Sequence, residues 1–167
     1  MIVREIIGNT SDITESGLEQ DLLELEWYET TKRIQRKHTR SGREIAIKFL
    51  REGQRLRQGD ILVREGNTMV TVDIKPCEAI VIAPQTLLEM GTICYEIGNK
   101  HLPLFIQDNK VMMPFEMPMF RWLESSGYKP EKQVVRLLNI LKSNVEPHSH
   151  GNNNSLFSKI LNLASKE

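Results

Sequence analysis

All seven prolines of this 167-residue chain lie at or after Pro76, and the first 75 residues contain none. Proline removes a backbone donor and is poorly tolerated inside sheets, so a long proline-free stretch can pair strand after strand. Short apolar–polar alternations recur over residues 2–7, 23–28, 33–39, 44–49, 61–63 and 69–74, with Ser41-Gly42, Gly59-Asp60 and Gly66-Asn67 as turn signals between them. Six short strands without a helical period predict an all-β domain over residues 1–75, a small sandwich or open barrel.

From Pro76 the pattern changes. Residues 80–82 read as a short buried strand, and Pro84 suits the first position of a helix. Leu87, Met90, Cys94 and Ile97 then recur at helical spacing, and Gly98-Asn99 supplies a left-handed stop. Residues 102–107 and 110–115 flank Asp108-Asn109 as a hairpin, residues 117–126 form a second helix stopped by Gly127, and residues 133–138 close the order as a strand. The run Leu137, Leu138, Ile140 and Leu141 fits a helix nearly as well. Strand, helix, hairpin, helix, strand is the βαββαβ order of a ferredoxin-like fold. The class is therefore α+β, with this second domain over residues 76–146. Residues 147–167 read as a flexible tail, HSHGNNNS followed by an amphipathic segment with Leu156, Phe157, Ile160, Leu161 and Ala164 on one helical face.

Charge narrows the function. Lys+Arg and Asp+Glu are equal at 22 each, which gives no global field for nucleic acid or membrane. Within the first domain the signs separate: residues 1–31 carry one Lys/Arg against eight Asp/Glu, and residues 32–64 carry eleven against three. An acidic strand with Glu24, Glu26 and Glu29 pairing across a hairpin with Lys32, Arg33 and Arg36 cancels those fields, and no aromatic residues interleave the basic run for base stacking. The longest unbroken apolar run, residues 79–83, is far short of a bilayer span, and no export signal opens the chain, so a cytoplasmic protein with reduced Cys77 and Cys94 is expected.

The residues that carry a family resemblance are Tyr95, Gly98, Asn99, Lys100, His101, Pro103 and Leu104, a tyrosine-x-x-glycine-asparagine-basic-histidine-x-proline-leucine run. It closely resembles the signature of the urease accessory protein E family, the nickel metallochaperones of urease maturation. The opening MIVREIIGN, the QGDIL turn and the helix start at Pro84 are similar to that family as well. The resemblance implies a cytoplasmic homodimer with an all-β N-terminal domain, a ferredoxin-like metal domain and a variable tail. It also implies that His101 is the nickel ligand at the dimer interface. The implied partners are the accessory GTPase and, with it, the apo-urease complex.

Read alone, a lone histidine at a helix-to-strand corner is more often a packed residue donating to a carbonyl than a ligand. One histidine also cannot hold a first-row metal, which wants about four or more ligands. Two copies of His101 facing each other across a two-fold axis can bridge one ion, and His148 and His150, two apart in a flexible segment, can both turn toward it. Leu102, Phe105 and the methionines Met112, Met113, Met117 and Met119 are expected to give an apolar patch beside His101 for the partner copy. Cys94 is a packed thiol, His38 a surface residue, and the methionines a core or dimer contact rather than a copper site. No nucleophile–base pair, phosphate loop or paired carboxylates supports an enzyme or a catalytic cofactor. The expected cargo is Ni2+, with Zn2+ and Cu2+ as competitors. The rival reading is a non-metal adaptor whose β domain binds an extended peptide and whose His101 is structural.

Overall fold

The alternation of the first 75 residues becomes two sheets. The computed structural model describes residues 1–13, 17–50 and 53–141 and divides the chain into two units, Met1–Lys75 and Pro76–Glu167. The expectations for His148, His150 and residues 147–167 concern positions outside the described residues. Across the described residues the protein is mixed α and β, mostly sheet with two helices, and no sheet closes into a barrel.

In the first unit, strands β1 (Ile2–Val3), β4 (Ile34–His38) and β5 (Glu44–Lys48) form one sheet in the order β1-β5-β4. Strands β2 (Gly8–Asn9), β3 (Glu19–Leu25), β6 (Asp60–Glu65) and β7 (Thr68–Ile74) form another, ordered β2-β6-β7-β3. Leu23 and Leu25 of β3, Ile45 and Ile47 of β5, and Val70, Val72 and Ile74 of β7 are buried, which is the period-two burial that the sequence pattern demands. Gly59 holds a left-handed φ of 77° where a Cβ would lie 2.3 Å from Thr10 Oγ1, so only glycine fits this turn.

One expected pairing is wrong. β3 pairs in parallel with β7, from Glu19 opposite Thr68 to Leu25 opposite Ile74, while β4 pairs with β5. The acidic and basic segments are in different sheets because residues Trp27–Thr31 turn into a 3-10 helix, which carries the chain out of the first sheet before the basic strand begins. Their charges still meet. Arg40 binds Glu24, Lys37 and Lys32 bind Glu29, and Lys75 binds Glu26, so the fields cancel through side-chain pairs rather than along a ladder.

The second unit runs β8 (Cys77–Ile82), α1 (Leu87–Asn99), β9 (Phe105–Gln107), β10 (Lys110–Pro114), α2 (Met117–Ser125) and β11 (Glu131–Val135), with the sheet ordered β11-β8-β10-β9. Asp108 and Asn109 both adopt positive φ, at 49° and 59°, and make the tight β9–β10 turn without glycine. Ile80 and Ile82 of β8 and Val111 and Met113 of β10 form one core with Ile93 and Ile97 of α1 and Met119 and Leu123 of α2.

Helix α1 departs from its expected register. It starts at Leu87 behind Thr86, whose hydroxyl accepts the Glu89 amide at 3.1 Å. Thr86 offers an acceptor to the orphan amides of the first turn, whereas a start at Pro84 would leave Ala83 as a cap with none. Ile93 and Ile97 face the core with Met90 and Cys94 partly buried beside them, while Leu87 is 88% exposed. The residue that turns left-handed at the end is neither Gly98 nor Asn99 but His101.

Candidate metal centre

Helix α1 ends at Asn99 and is capped by Lys100, whose amide donates to the Ile97 carbonyl at 3.1 Å, and the His101 amide donates to the Gly98 carbonyl at 2.9 Å. His101 then takes φ 55°, a left-handed conformation in which histidine is tolerated better than most residues but less well than glycine. Directly after it Leu102, Pro103 and Leu104 are buried, whereas His101 itself is exposed. The imidazole therefore stands in solvent at the negative end of a helix dipole, a place that favours a cation.

The end of the described chain comes back to the same corner. After β11 the backbone runs antiparallel along β9. Leu138 donates to the Gln107 side chain at 2.7 Å, Ile106 donates to Asn139 at 3.1 Å, Ile140 bridges Phe105, and Leu141 donates to Leu104 at 2.7 Å. The run from Leu137 to Leu141 is thus neither helix nor part of β11. Sequence patterning could not place it, because its strand partner is an edge that exists only once the sheet has formed. His148 and His150 lie seven and nine residues beyond Leu141, outside the described residues.

Among the described residues no three of the His, Cys, Asp and Glu side chains come together as a metal site. His38 is on β4, with Glu44 at 4.0 Å. Cys94 contacts Met90 sulfur to sulfur at 4.0 Å, and burial pushes its thiol above the ordinary cysteine pKa, which disfavours the thiolate a metal requires. Met112, Met113 and Met119 are core residues, and only Met117 of that group is exposed.

The expected apolar patch is elsewhere too. Leu102 and Phe105 are buried, while Leu87 at 88%, Leu88 at 81% and Tyr95 at 68% are exposed along one side of α1. Gly91 and Gly98 lie on the same side, and among the described residues a Cβ on either would touch nothing. Mid-helix glycine costs stability, so a Gly91 that no internal contact requires is the sequence signal that could have marked this face.

Fold and site together define a two-unit α+β protein that presents an exposed histidine corner beside the emerging C-terminal segment. The family model described as UreE urease accessory protein, N-terminal domain, matches residues 3–75. A urease accessory protein UreE of Flavobacterium johnsoniae is 53% identical over 164 residues, covering 98% of this chain and 99% of the relative. That of Actinobacillus pleuropneumoniae is 42% identical over 86% of this chain and 79% of its own, and that of Acetivibrio thermocellus is 40% identical over 90% and 97%. The chain belongs to the UreE family of urease accessory proteins, which are accessory chaperones and not enzymes. Among the described residues no helix is long and apolar enough to cross a membrane.

Proposed function

We propose that this protein is a nickel metallochaperone that serves urease maturation: it binds Ni2+ as cargo through His101 and hands it to apo-urease. The observation that carries the reading is the return of the chain along β9, with Leu141 bonded to Leu104 three residues from His101. His148 and His150 follow Leu141 by seven and nine residues, and a flexible linker of seven residues has a reach of about 13–16 Å, enough to bring a ligand to the corner.

The dimer is part of the same reading. Leu87, Leu88 and Tyr95 form an apolar stripe that leads down α1 toward His101, and Gly91 and Gly98 let another backbone come close. Two chains joined about a two-fold axis along this stripe bring two His101 side chains to one ion, with the tail imidazoles completing its shell. Residues 76–146 then act as a ferredoxin-like metal and dimerisation domain, and residues 1–75 as the module that contacts the accessory GTPase and apo-urease in the cytoplasm. Tail ligands can leave one at a time as a partner's ligands replace them, so no free ion is released.

The adaptor reading has only a shallow, open depression to rest on, where the chain passes from β1 to β2, lined by Ile2, Val3, Arg4, Glu5, Ile7 and Leu62, with Ile2 and Ile7 exposed. Calorimetric titration with nickel, zinc and copper, with the oligomer size measured alongside, tests the main reading. Nickel binding lost in His101→Ala supports it. Indifference to that change leaves the adaptor reading standing alone.

A further inference from the structure

Four consecutive residues, Gly98, Asn99, Lys100 and His101, are exposed between two buried anchors, Ile97 on one side and Leu102 on the other. Their own chemistry gives the corner little rigidity. Gly98 and Asn99 are poor helix formers, and no packing contact compensates at Gly98, where a Cβ would meet open space. The Lys100 and His101 amides both bond three residues back, the less favourable 3-10 arrangement. The left-handed φ of His101 adds strain for a residue with a Cβ.

Among the described residues, one side-chain polar or ring contact is shown for these four. The Lys100 ammonium sits 4.3 Å from the centre of the Trp122 ring, well inside the range of a cation–π interaction. Trp122 is a sound anchor. It lies in α2, packs against the core of the second unit, and its carbonyl accepts from the Ser125 hydroxyl at 2.8 Å and the Ser126 amide at 3.0 Å. The contact therefore ties the last turn of α1 to α2 at the residue immediately before the histidine.

We infer that Trp122, acting through Lys100, is a positioning residue for His101, holding the corner in the conformation that presents the imidazole to metal. The inference rests on His101 being a nickel ligand. The Lys100 ammonium is not part of the buried cluster of Ile93, Ile97, Leu102, Leu104 and Leu123 that packs the unit, although the Trp122 ring lies against that cluster. Removal of this clamp loosens four residues, and the metal must then reorder them on binding. A second effect acts the other way, because an ammonium near a metal cation repels it. Positioning dominates if losing the charge weakens binding, and repulsion dominates if losing it strengthens binding.

The test uses the full chain with nickel itself, titrated at fixed pH and ionic strength, together with amide hydrogen exchange. Lys100→Ala, which removes the side chain that lies over the ring, and Trp122→Leu should each weaken nickel binding three- to tenfold. The double variant should lose no more than the stronger single change, and Lys100→Arg, which can still lie on the ring, should stay within twofold of the parent. Exchange at the His101 amide should speed up in both weakened variants while that of Ile93 and Ile97 does not change. Trp122→Phe keeps a ring and should retain most of the affinity, which separates the clamp from any disturbance of α2 by leucine. Unchanged or tighter nickel binding in Lys100→Ala, in a protein where His101→Ala abolishes it, overturns the inference alone. Nickel binding that survives His101→Ala overturns the ligand reading and this inference with it.

Discussion

The amide of Leu141 donates to the carbonyl of Leu104 at 2.7 Å, which fixes the exit of the tail beside the His101 corner. A tethered ligand acts at an effective concentration in the millimolar range when its linker matches the span. Changing His148 and His150 together to alanine should therefore weaken nickel binding by about 10- to 100-fold, with a residual site at His101. A chain stopped after Gly151 should keep its nickel stoichiometry, since the amphipathic segment lies beyond both histidines. Calorimetry on the two variants decides the matter. Equal loss in both would mean that the tail acts as one unit.

Gly91 gives a prediction in which the sign carries the answer. Among the described residues a Cβ there meets nothing, so Gly91→Ala should stabilise the helix of an isolated chain by about 1 kcal/mol. If α1 packs closely against a second copy at this point, the same methyl group should weaken the dimer. Urea unfolding and sedimentation equilibrium on one variant read both effects. Leu88→Glu should dissociate the dimer while leaving far-UV circular dichroism unchanged, because Leu88 makes no part of the core. A dimer indifferent to both changes places the interface on another surface.

His101→Gly should separate backbone cost from ligand value. With φ at 55°, histidine bears a penalty that glycine escapes, so the variant should gain about 1 kcal/mol of stability while losing its nickel site. Thermal unfolding without metal, against His101→Ala, measures the gain. Alanine keeps the Cβ and should show none. Equal stability in the two variants would mean that the corner relaxes out of the left-handed region.

The α1 corner also illustrates what could be read before any coordinates. The positions of both helices, the Asp108-Asn109 turn and the Gly127 stop follow from local chemistry and were legible in the sequence. The register of α1 was less so. Leu87 and Leu88 look like core residues in a helical pattern, yet they belong to the exposed face, and period alone does not say which apolar stripe a chain buries within itself. The pairing of β3 with β7 and the return of residues 138–141 onto β9 depend on contacts far apart in sequence, where no local signal exists. His101 was recognisable as a residue of interest through its neighbours. Its left-handed backbone and the Lys100 contact with Trp122 were not.

Asp21 supplies a pH prediction for the first unit. It is buried in β3 and accepts from the Ser41 amide at 3.0 Å and the Ser41 hydroxyl at 2.6 Å, which pins the β4–β5 turn to the other sheet. Burial pushes its pKa up, but the hydrogen bonds from Ser41 and Thr39 and the charge of Arg43 outweigh it, so the carboxyl lies below its ordinary value. A carboxylate whose pKa is depressed on folding stabilises the protein fully above its unfolded pKa of about 3.9, and that contribution is lost as pH falls through the lower folded value. Asp21→Ala, which strands both Ser41 donors, should cost about 1–3 kcal/mol at pH 7. The gap between parent and variant should hold down to about pH 4 and narrow below it as the parent's carboxyl takes up its proton. Urea unfolding at a series of pH values gives the curve. A gap that stays constant to pH 2.5 would show that Asp21 contributes through packing or through a pKa that folding leaves unchanged, and one that widens between pH 7 and 5 would show a pKa that folding raises.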